Sequence, residues 1–224
     1  MKGLVIKLGG SLFKKPDTKL VEWLHGLTSR LLPLKNYSFA FVVGGGSVSS
    51  KYVNLARSLG LSAYDQDLLG IDSARLNARL LGLLVGTPEV AKSIDIAREQ
   101  LKEGYIPVMG GTVPGHTTNA VSALLAEALG YQLVSLTDVN GIYDSDPKKN
   151  PRAKLIRKMT HAQLVEMAAK YDTRKARAHF VFDLLAAKIA ARSNIRVVIA
   201  DGNDLDNLMS IVKGKKFVGT VIDG

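Results

Sequence analysis

Six short runs of apolar residues, 4–8, 39–43, 106–109, 133–137, 196–200 and 217–222, are separated along the 224-residue chain by longer segments whose apolar positions recur every three or four residues. Strand-length runs with no alternating polar face suit strands covered on both sides. Segments 18–32, 47–59, 67–84, 89–102, 119–129, 161–170, 179–193 and 205–212 carry the helical spacing. Strands alternating with helices in this way predict an α/β chain with a largely parallel sheet and helices on both of its faces. No linker or low-complexity stretch interrupts the pattern, so a single domain spanning 1–224 is expected.

Glycines fall at the ends of these strands. Gly9 and Gly10, Gly44 to Gly46, and Gly110 and Gly111 each stand directly after a predicted strand and before a helix or loop. Parallel strands deliver such loops to one end of the sheet, where they diverge into the crevice in which open α/β sheets bind ligands. A backbone free of Cβ atoms admits a phosphate closely, and helix amino termini add N–H groups and a favourable dipole. Any one of these glycine groups reads equally as a tight turn. Three on one edge point to an anion site.

Charge narrows the partners only in part. The formal net charge of +10 is compatible with nucleic acid, anionic lipid or phosphorylated small substrates. Basic residues concentrate at 148–158 and 174–177 without interleaved aromatics, which make up 6% of the chain, so no base-stacking surface is indicated and neither nucleic acid nor membrane is expected as a partner. No run approaches the roughly 18 apolar residues of a membrane helix, and Lys7 breaks the apolar stretch at the amino terminus, where no small-residue cleavage pattern follows. With no cysteine the chain has no disulfide framework, thiolate metal site or cysteine nucleophile, and a cytoplasmic location is expected.

The phosphate loop GxxxxGK[ST], the HExxH and GxSxG motifs and the protein-kinase catalytic loop are all missing, and the run at 44–49 lacks the third glycine of GxGxxG. Phosphoryl transfer on such a scaffold still needs positive charge and N–H donors around the moving group, but little covalent chemistry from the protein. Lys7 is the candidate cation. It stands at the end of the first apolar run, separated from Gly9 and Gly10 by Leu8 alone, where an ammonium is costly unless it reaches a ligand or a carboxylate. A lysine snorkelling at the sheet edge is the plain alternative.

KLGGSLF at 7–13, VVGGGSVSSKY at 42–52, DLLGID at 67–72, VMGGTVPGHTTNA at 108–120, LTDVNGIYDSDP at 136–147 and FDLLAAKIAARS at 182–193 occur in that order. Together they resemble the amino acid kinase superfamily, and within it the uridylate kinases of archaeal type. The resemblance spans almost the whole chain. It implies a three-layer α/β/α sandwich, an acceptor-binding part over roughly 1–130, an ATP-binding part over roughly 131–224, a homohexamer built from dimers, and transfer of the γ-phosphoryl of ATP to UMP with Mg²⁺. It further implies that Lys7, Gly9 and Gly10 line the transferring group, with Asp183 orienting Lys7. Gly45 would lie under the acceptor phosphate and Gly46 under the ATP phosphates. Asp67 would take the acceptor ribose, and Val113, Pro114, Gly115, His116, Thr117, Thr118 and Asn119 would form the acceptor loop. Thr137, Asp138, Tyr143 and Asp146 would hold the ATP nucleoside.

The residues themselves leave alternatives. Thr117 and Thr118 offer hydroxyls at a helix amino terminus, which suits a phosphate or pyrimidine edge and equally a helix cap. Asp183 opens an apolar helical run and is satisfied either by Lys7 or as a cap. Tyr143, between Asn140-Gly141 and Asp146-Pro147, also reads as part of a plain turn. Two positions depart from the family's pattern: Asn119, where aspartate is common, and Ser50, where arginine is common near the ATP phosphates and where Lys51 is the available substitute. Isopentenyl phosphate kinase is the nearest rival in the superfamily, but the histidine typical of its second glycine loop is missing here. A silent nucleotide-binding relative is a further reading, which the presence of both Lys7 and Asp183 disfavours.

Overall fold

Val5, Ile6 and Leu8 are wholly buried because β1 (Lys2–Leu8) runs through the interior of a sheet and is covered on both faces. Each such side chain contributes roughly 1.5–3 kcal/mol when withdrawn from water. The computed structural model describes residues 2–14, 17–147, 150–171 and 181–224. Within them the sheet also contains β2 (Tyr37–Val43), β3 (Val108–Met109), β4 (Gln132–Thr137), β5 (Lys158–Met159), β6 (Val197–Asp201) and β7 (Thr220–Ile222). Their order is β3-β2-β1-β4-β6-β7-β5. All neighbours are parallel except β6 and β7, so β5 and β7 oppose the rest.

The helices are α1 (Thr18–Leu31), α2 (Gly46–Ser58), α3 (Ala63–Val85), α4 (Ile94–Lys102), α5 (Thr118–Leu129), α6 (His161–Tyr171), α7 (Leu184–Arg192) and α8 (Leu205–Val212). They form two layers, as the alternation of the strands requires. Val5, Leu133 and Val197 pack with Val121 and Leu125 of α5, Leu164 of α6 and Ala187 of α7. Leu4, Ile6, Leu8 and Leu136 pack on the other face with Leu24 and Leu27 of α1, Leu81 of α3 and Leu208 of α8. This is the three-layer α/β/α sandwich that the sequence predicts.

Some boundaries differ from the sequence reading, each for a local reason. The predicted helix over 89–102 begins only at Ile94, because Ala91 forms a parallel bridge to Met109 and Ser93 then caps the helix. The predicted helix over 67–84 begins earlier, at Ala63, where the Ser62 hydroxyl accepts from the Asp65 N–H. In the predicted helix over 179–193, residues 179 and 180 lie outside the described residues and the helix starts at Leu184, capped by Asp183. Of the basic clusters, 174–177, Lys148 and Lys149 also lie outside them.

Candidate active site

β1 lies between β2 and β4, and from it the chain builds the sheet outward in both directions. The carboxyl ends of β1 and β4 therefore flank a point where the loops part, the position at which open α/β sheets hold ligands. Backbone contacts lock these loops together. The Gly9 N–H donates to the Leu136 carbonyl at 2.9 Å and the Gly44 N–H to the Leu8 carbonyl at 2.9 Å. A Cβ on Gly10 would stand 2.8 Å from the Gly46 nitrogen, and one on Gly44 would stand 2.5 Å from the Gly10 nitrogen. The two glycine loops thus touch main chain to main chain, which no residue with a side chain allows.

Beside them opens a cleft of about 640 Å³ lined by Gly10, Gly44 to Gly46, Ser47, Ser50, Lys14, Lys51 and Thr118. A second cavity of about 240 Å³ is lined by Gly45, Asp67, Gly111, Val113, His116 and Thr118. Gly45, Ser49 and Thr118 belong to both, so the two spaces share a wall. One is rich in glycine, serine and lysine, as a phosphate cradle requires; the other presents a carboxylate and apolar walls.

Lys7, the last residue but one of β1, is only 6% exposed. No hydrogen bond or ion pair joins its ammonium to a described residue. Burial pulls its pKa from 10.5 down to about 8, against the opposing pull of the Asp183 and Asp138 carboxylates. A buried cation held by distant charge alone is incompletely satisfied. An anion arriving at the glycine loops would complete its surroundings.

Asp183 is fixed on both carboxylate oxygens. Oδ1 accepts from the Ala186 N–H at 3.1 Å, capping α7, and Oδ2 accepts from the Thr117 hydroxyl at 2.5 Å. Thr117 in turn caps α5, its hydroxyl oxygen accepting from the Ala120 N–H at 3.0 Å. Two residues on, the Asn119 amide donates to the Val181 carbonyl at 3.1 Å; an aspartate there could not make this bond. The Asn119 Oδ1 and the His116 Nδ1 are buried without a partner. From α3, Asp67 Oδ2 accepts from the Gly115 N–H at 2.8 Å, holding in the loop 113–117 a turn in which Gly115 takes φ +83°.

The sequence-derived site thus divides. Gly10, Gly45, Gly46 and Thr118 line the larger cleft, and Asp67, Val113 and His116 line the smaller cavity together with Gly45 and Thr118; Lys7, Gly9, Thr117 and Asp183 line neither, Lys7 lying against Gly9 and Thr117 bonding Asp183. Pro114 and Gly115 form the turn above the smaller cavity. Thr137 ends β4 and Asp138 follows it, with Asp138 Oδ2 paired to the Lys14 ammonium at 3.0 Å. Tyr143 forms a bridge to Leu155, and the Asp146 carbonyl accepts from the Asn150 N–H at 2.8 Å; neither lines either cavity. Sequence reasoning missed Lys14, Arg75 and Asn77. Arg75 donates to the Gly111 and Thr112 carbonyls at 3.0 and 3.1 Å, and Asn77 to the Gly44 carbonyl at 2.8 Å, so α3 holds two of the glycine loops. Lys14 had a signal, a lysine just beyond the first glycine motif; the α3 polar residues had none beyond helical spacing.

Comparison with known proteins bears on this geometry. The family model described as "Amino acid kinase family" matches residues 2–201. The "Uridylate kinase" of Thermococcus kodakarensis is 40% identical over 225 residues, covering 98% of this chain and 99% of that protein. That of Aeropyrum pernix is 36% identical over the full length of both. The crystal structure of "Uridylate Kinase from Archaeoglobus Fulgidus" superposes with a TM-score of 0.83 at 37% identity, over 99% of this chain and 100% of that one. At 22% identity, the UMP kinase of Bacillus anthracis shares the fold, with a TM-score of 0.79.

Proposed function

Because this chain belongs to the amino acid kinase family, we propose that it is a uridylate kinase, moving the γ-phosphoryl group of ATP onto the phosphate of UMP. The observation that carries the reading is Lys7, a buried ammonium with no ion-pair partner among the described residues, whose Nζ lies 3.4 Å from where a Cβ on Gly9 would stand, against the glycine loop that lines the larger cleft at Gly10. The sequence likeness to the archaeal uridylate kinases over the whole chain supports the choice of acceptor.

On this reading Lys7, with N–H groups of Gly10 and Gly46 and the close approach that Gly9 allows, offsets negative charge on the phosphoryl group as it passes between nucleotides. Asp183 keeps Lys7 protonated and oriented. The acceptor phosphate rests at Gly45, and Asp67 with the loop Val113, Pro114, Gly115, His116, Thr117, Thr118 and Asn119 encloses the rest of UMP. Thr137, Asp138, Tyr143 and Asp146 hold the ATP nucleoside, so that 1–130 form the acceptor part and 131–224 the ATP part. No general base is needed, since a phosphate monoester with a second pKa of about 6 is already a dianion at neutral pH.

Mg²⁺ suits the donor set in one respect. No group of three or more histidine, aspartate or glutamate side chains that could hold a metal occurs among the described residues, which fits an ion carried mainly by nucleotide phosphates and water. There it would neutralise phosphate charge. A homohexamer built from dimers fits the exposed face of α2 and α3, where Leu55, Leu59, Leu76, Leu80 and Leu83 are 60, 76, 63, 44 and 64% exposed. No helix among the described residues is long and apolar enough to cross a membrane, and a cytoplasmic enzyme is consistent with that.

The purified protein incubated with ATP and Mg²⁺ tests the reading against a panel of UMP, CMP, dUMP and isopentenyl phosphate. UDP should form fastest. Faster turnover of isopentenyl phosphate, or none of UMP, overturns it.

A further inference from the structure

The hydroxyl of Thr117 is already engaged. It donates to Asp183 Oδ2 at 2.5 Å while its oxygen accepts from the Ala120 N–H at 3.0 Å. A hydroxyl has one proton, so Thr117 has no donor left to offer an acceptor nucleotide. Thr118, by contrast, lines both cavities. The two adjacent threonines therefore face different tasks.

Thr117 and Asn119 both reach from the first turn of α5 to the stretch from Val181 to Asp183. The hydroxyl takes the Asp183 carboxylate and the amide takes the Val181 carbonyl, at 2.5 and 3.1 Å. These contacts join residues 66 and 62 positions apart in sequence. They are the described side-chain hydrogen bonds that tie the acceptor loop to the segment opening α7. Among the described residues the carboxylates acting on the Lys7 ammonium are Asp183 at the start of α7 and Asp138 after β4. Asp183 therefore acts at a distance, and its position decides how much of its charge reaches Lys7.

We infer that Thr117 is a positioning residue: through its hydrogen bond to Asp183 it sets the charge state and placement of Lys7, and so couples the acceptor loop to the phosphoryl-transfer centre. The inference rests on the uridylate kinase reading for its kinetic part, while its electrostatic part concerns the protein alone. Without the Thr117 hydroxyl, one carboxylate oxygen of Asp183 loses its donor and the side chain is free to turn toward water. Lys7 then keeps the burial and loses part of the compensating charge, so its pKa falls further.

Three variants separate this role from capping. Thr117→Val removes the hydroxyl, Thr117→Gly removes it while leaving the start of α5 nearly as stable, and Thr117→Ser retains it. The first readout is the titration of Lys7, followed through the ¹³Cε resonance of labelled lysine in the full chain without nucleotides and assigned by its disappearance in Lys7→Met. In Thr117→Val and Thr117→Gly the Lys7 pKa should drop by roughly half a unit or more, and in Thr117→Ser it should stay at the wild-type value. The second is steady-state kinetics from pH 6.5 to 9.5. For both non-hydroxyl variants kcat should fall roughly tenfold, with KM for UMP changed less than about threefold and the alkaline limb of the profile moved to lower pH.

Unchanged Lys7 titration in both non-hydroxyl variants overturns the inference. So does a rise in KM for UMP with kcat intact, which would make Thr117 an acceptor contact. If the wild type does not phosphorylate UMP, the functional reading fails, and the Lys7 titration still decides the role of Thr117.

Discussion

Replacing Lys7 with methionine should make the protein more stable and nearly inactive. The side chains are similar in length and unbranched, so packing at the end of β1 changes little. The folded state depresses the Lys7 pKa from 10.5 to about 8, chiefly by burial. Each pH unit of such a difference is worth about 1.36 kcal/mol, so the charged lysine costs the ligand-free fold up to about 3 kcal/mol below pH 8. The sign follows from linkage. Between pH 8 and 10.5 the unfolded chain binds the proton that the folded chain has released, so stability rises with pH across that window and the penalty is fully present below it. Urea denaturation of both proteins at pH 7 and pH 10.5 measures the effect, and comparing them cancels every other titrating group. Lys7→Met should be more stable by about 2 to 3 kcal/mol at pH 7, and most of that advantage should vanish at pH 10.5. Its kcat should fall roughly 10²- to 10³-fold, the usual cost of deleting one preorganised electrostatic group. A variant no more stable than wild type at pH 7 would show that the ammonium is well satisfied without ligand, and would remove the reason for expecting a phosphate beside it.

Two further perturbations address the scaffold. Gly44→Ala would bring a Cβ to 2.5 Å from the Gly10 nitrogen and 2.9 Å from its Cα, both main-chain atoms; we expect a loss of about 1 to 3 kcal/mol in urea denaturation and a fall of more than about tenfold in kcat/KM for ATP, whereas wild-type activity would show that the loops have slack. Leu76→Glu with Leu80→Glu on α3 should lower the sedimentation coefficient to that of a smaller species while the far-ultraviolet circular dichroism is retained. An unchanged coefficient would exclude this face from the proposed subunit contacts.

The sheet interior was the most legible part of the sequence, because β1, β2 and β4 bury both faces and each reads as a largely apolar run without an alternating polar face. Strand direction was not. The run ending in β7 has the same composition as its parallel neighbours, and only its pairing with β6 reveals the reversal. β5, with two residues, carries no period at all. In the site, Lys7 was legible from the cost of an ammonium inside an apolar segment, and the glycine loops from their place after strands. The division of labour between Thr117 and Thr118 was not, since adjacent residues of one type differ only in what the fold sets opposite them. For Thr117 that is a carboxylate 66 positions away. Asp67 likewise suits a ribose by residue type, and only the fold shows it already holding the Gly115 N–H.

The amino-terminal ends of α2 and α5 open toward the same crevice, which Lys14 and Lys51 also line. The net charge of +10 makes the chain as a whole attractive to anions, and the helix amino termini with Lys14 and Lys51 add positive potential at this crevice. A nucleotide within a Debye length, about 8 Å at physiological ionic strength, is drawn to the crevice before any specific contact forms. Encounter is then faster than an unguided search and slows as salt is added. The same attraction holds departing nucleotides back, so an arrangement that gathers phosphates efficiently gives up some of its turnover to the time its products spend leaving.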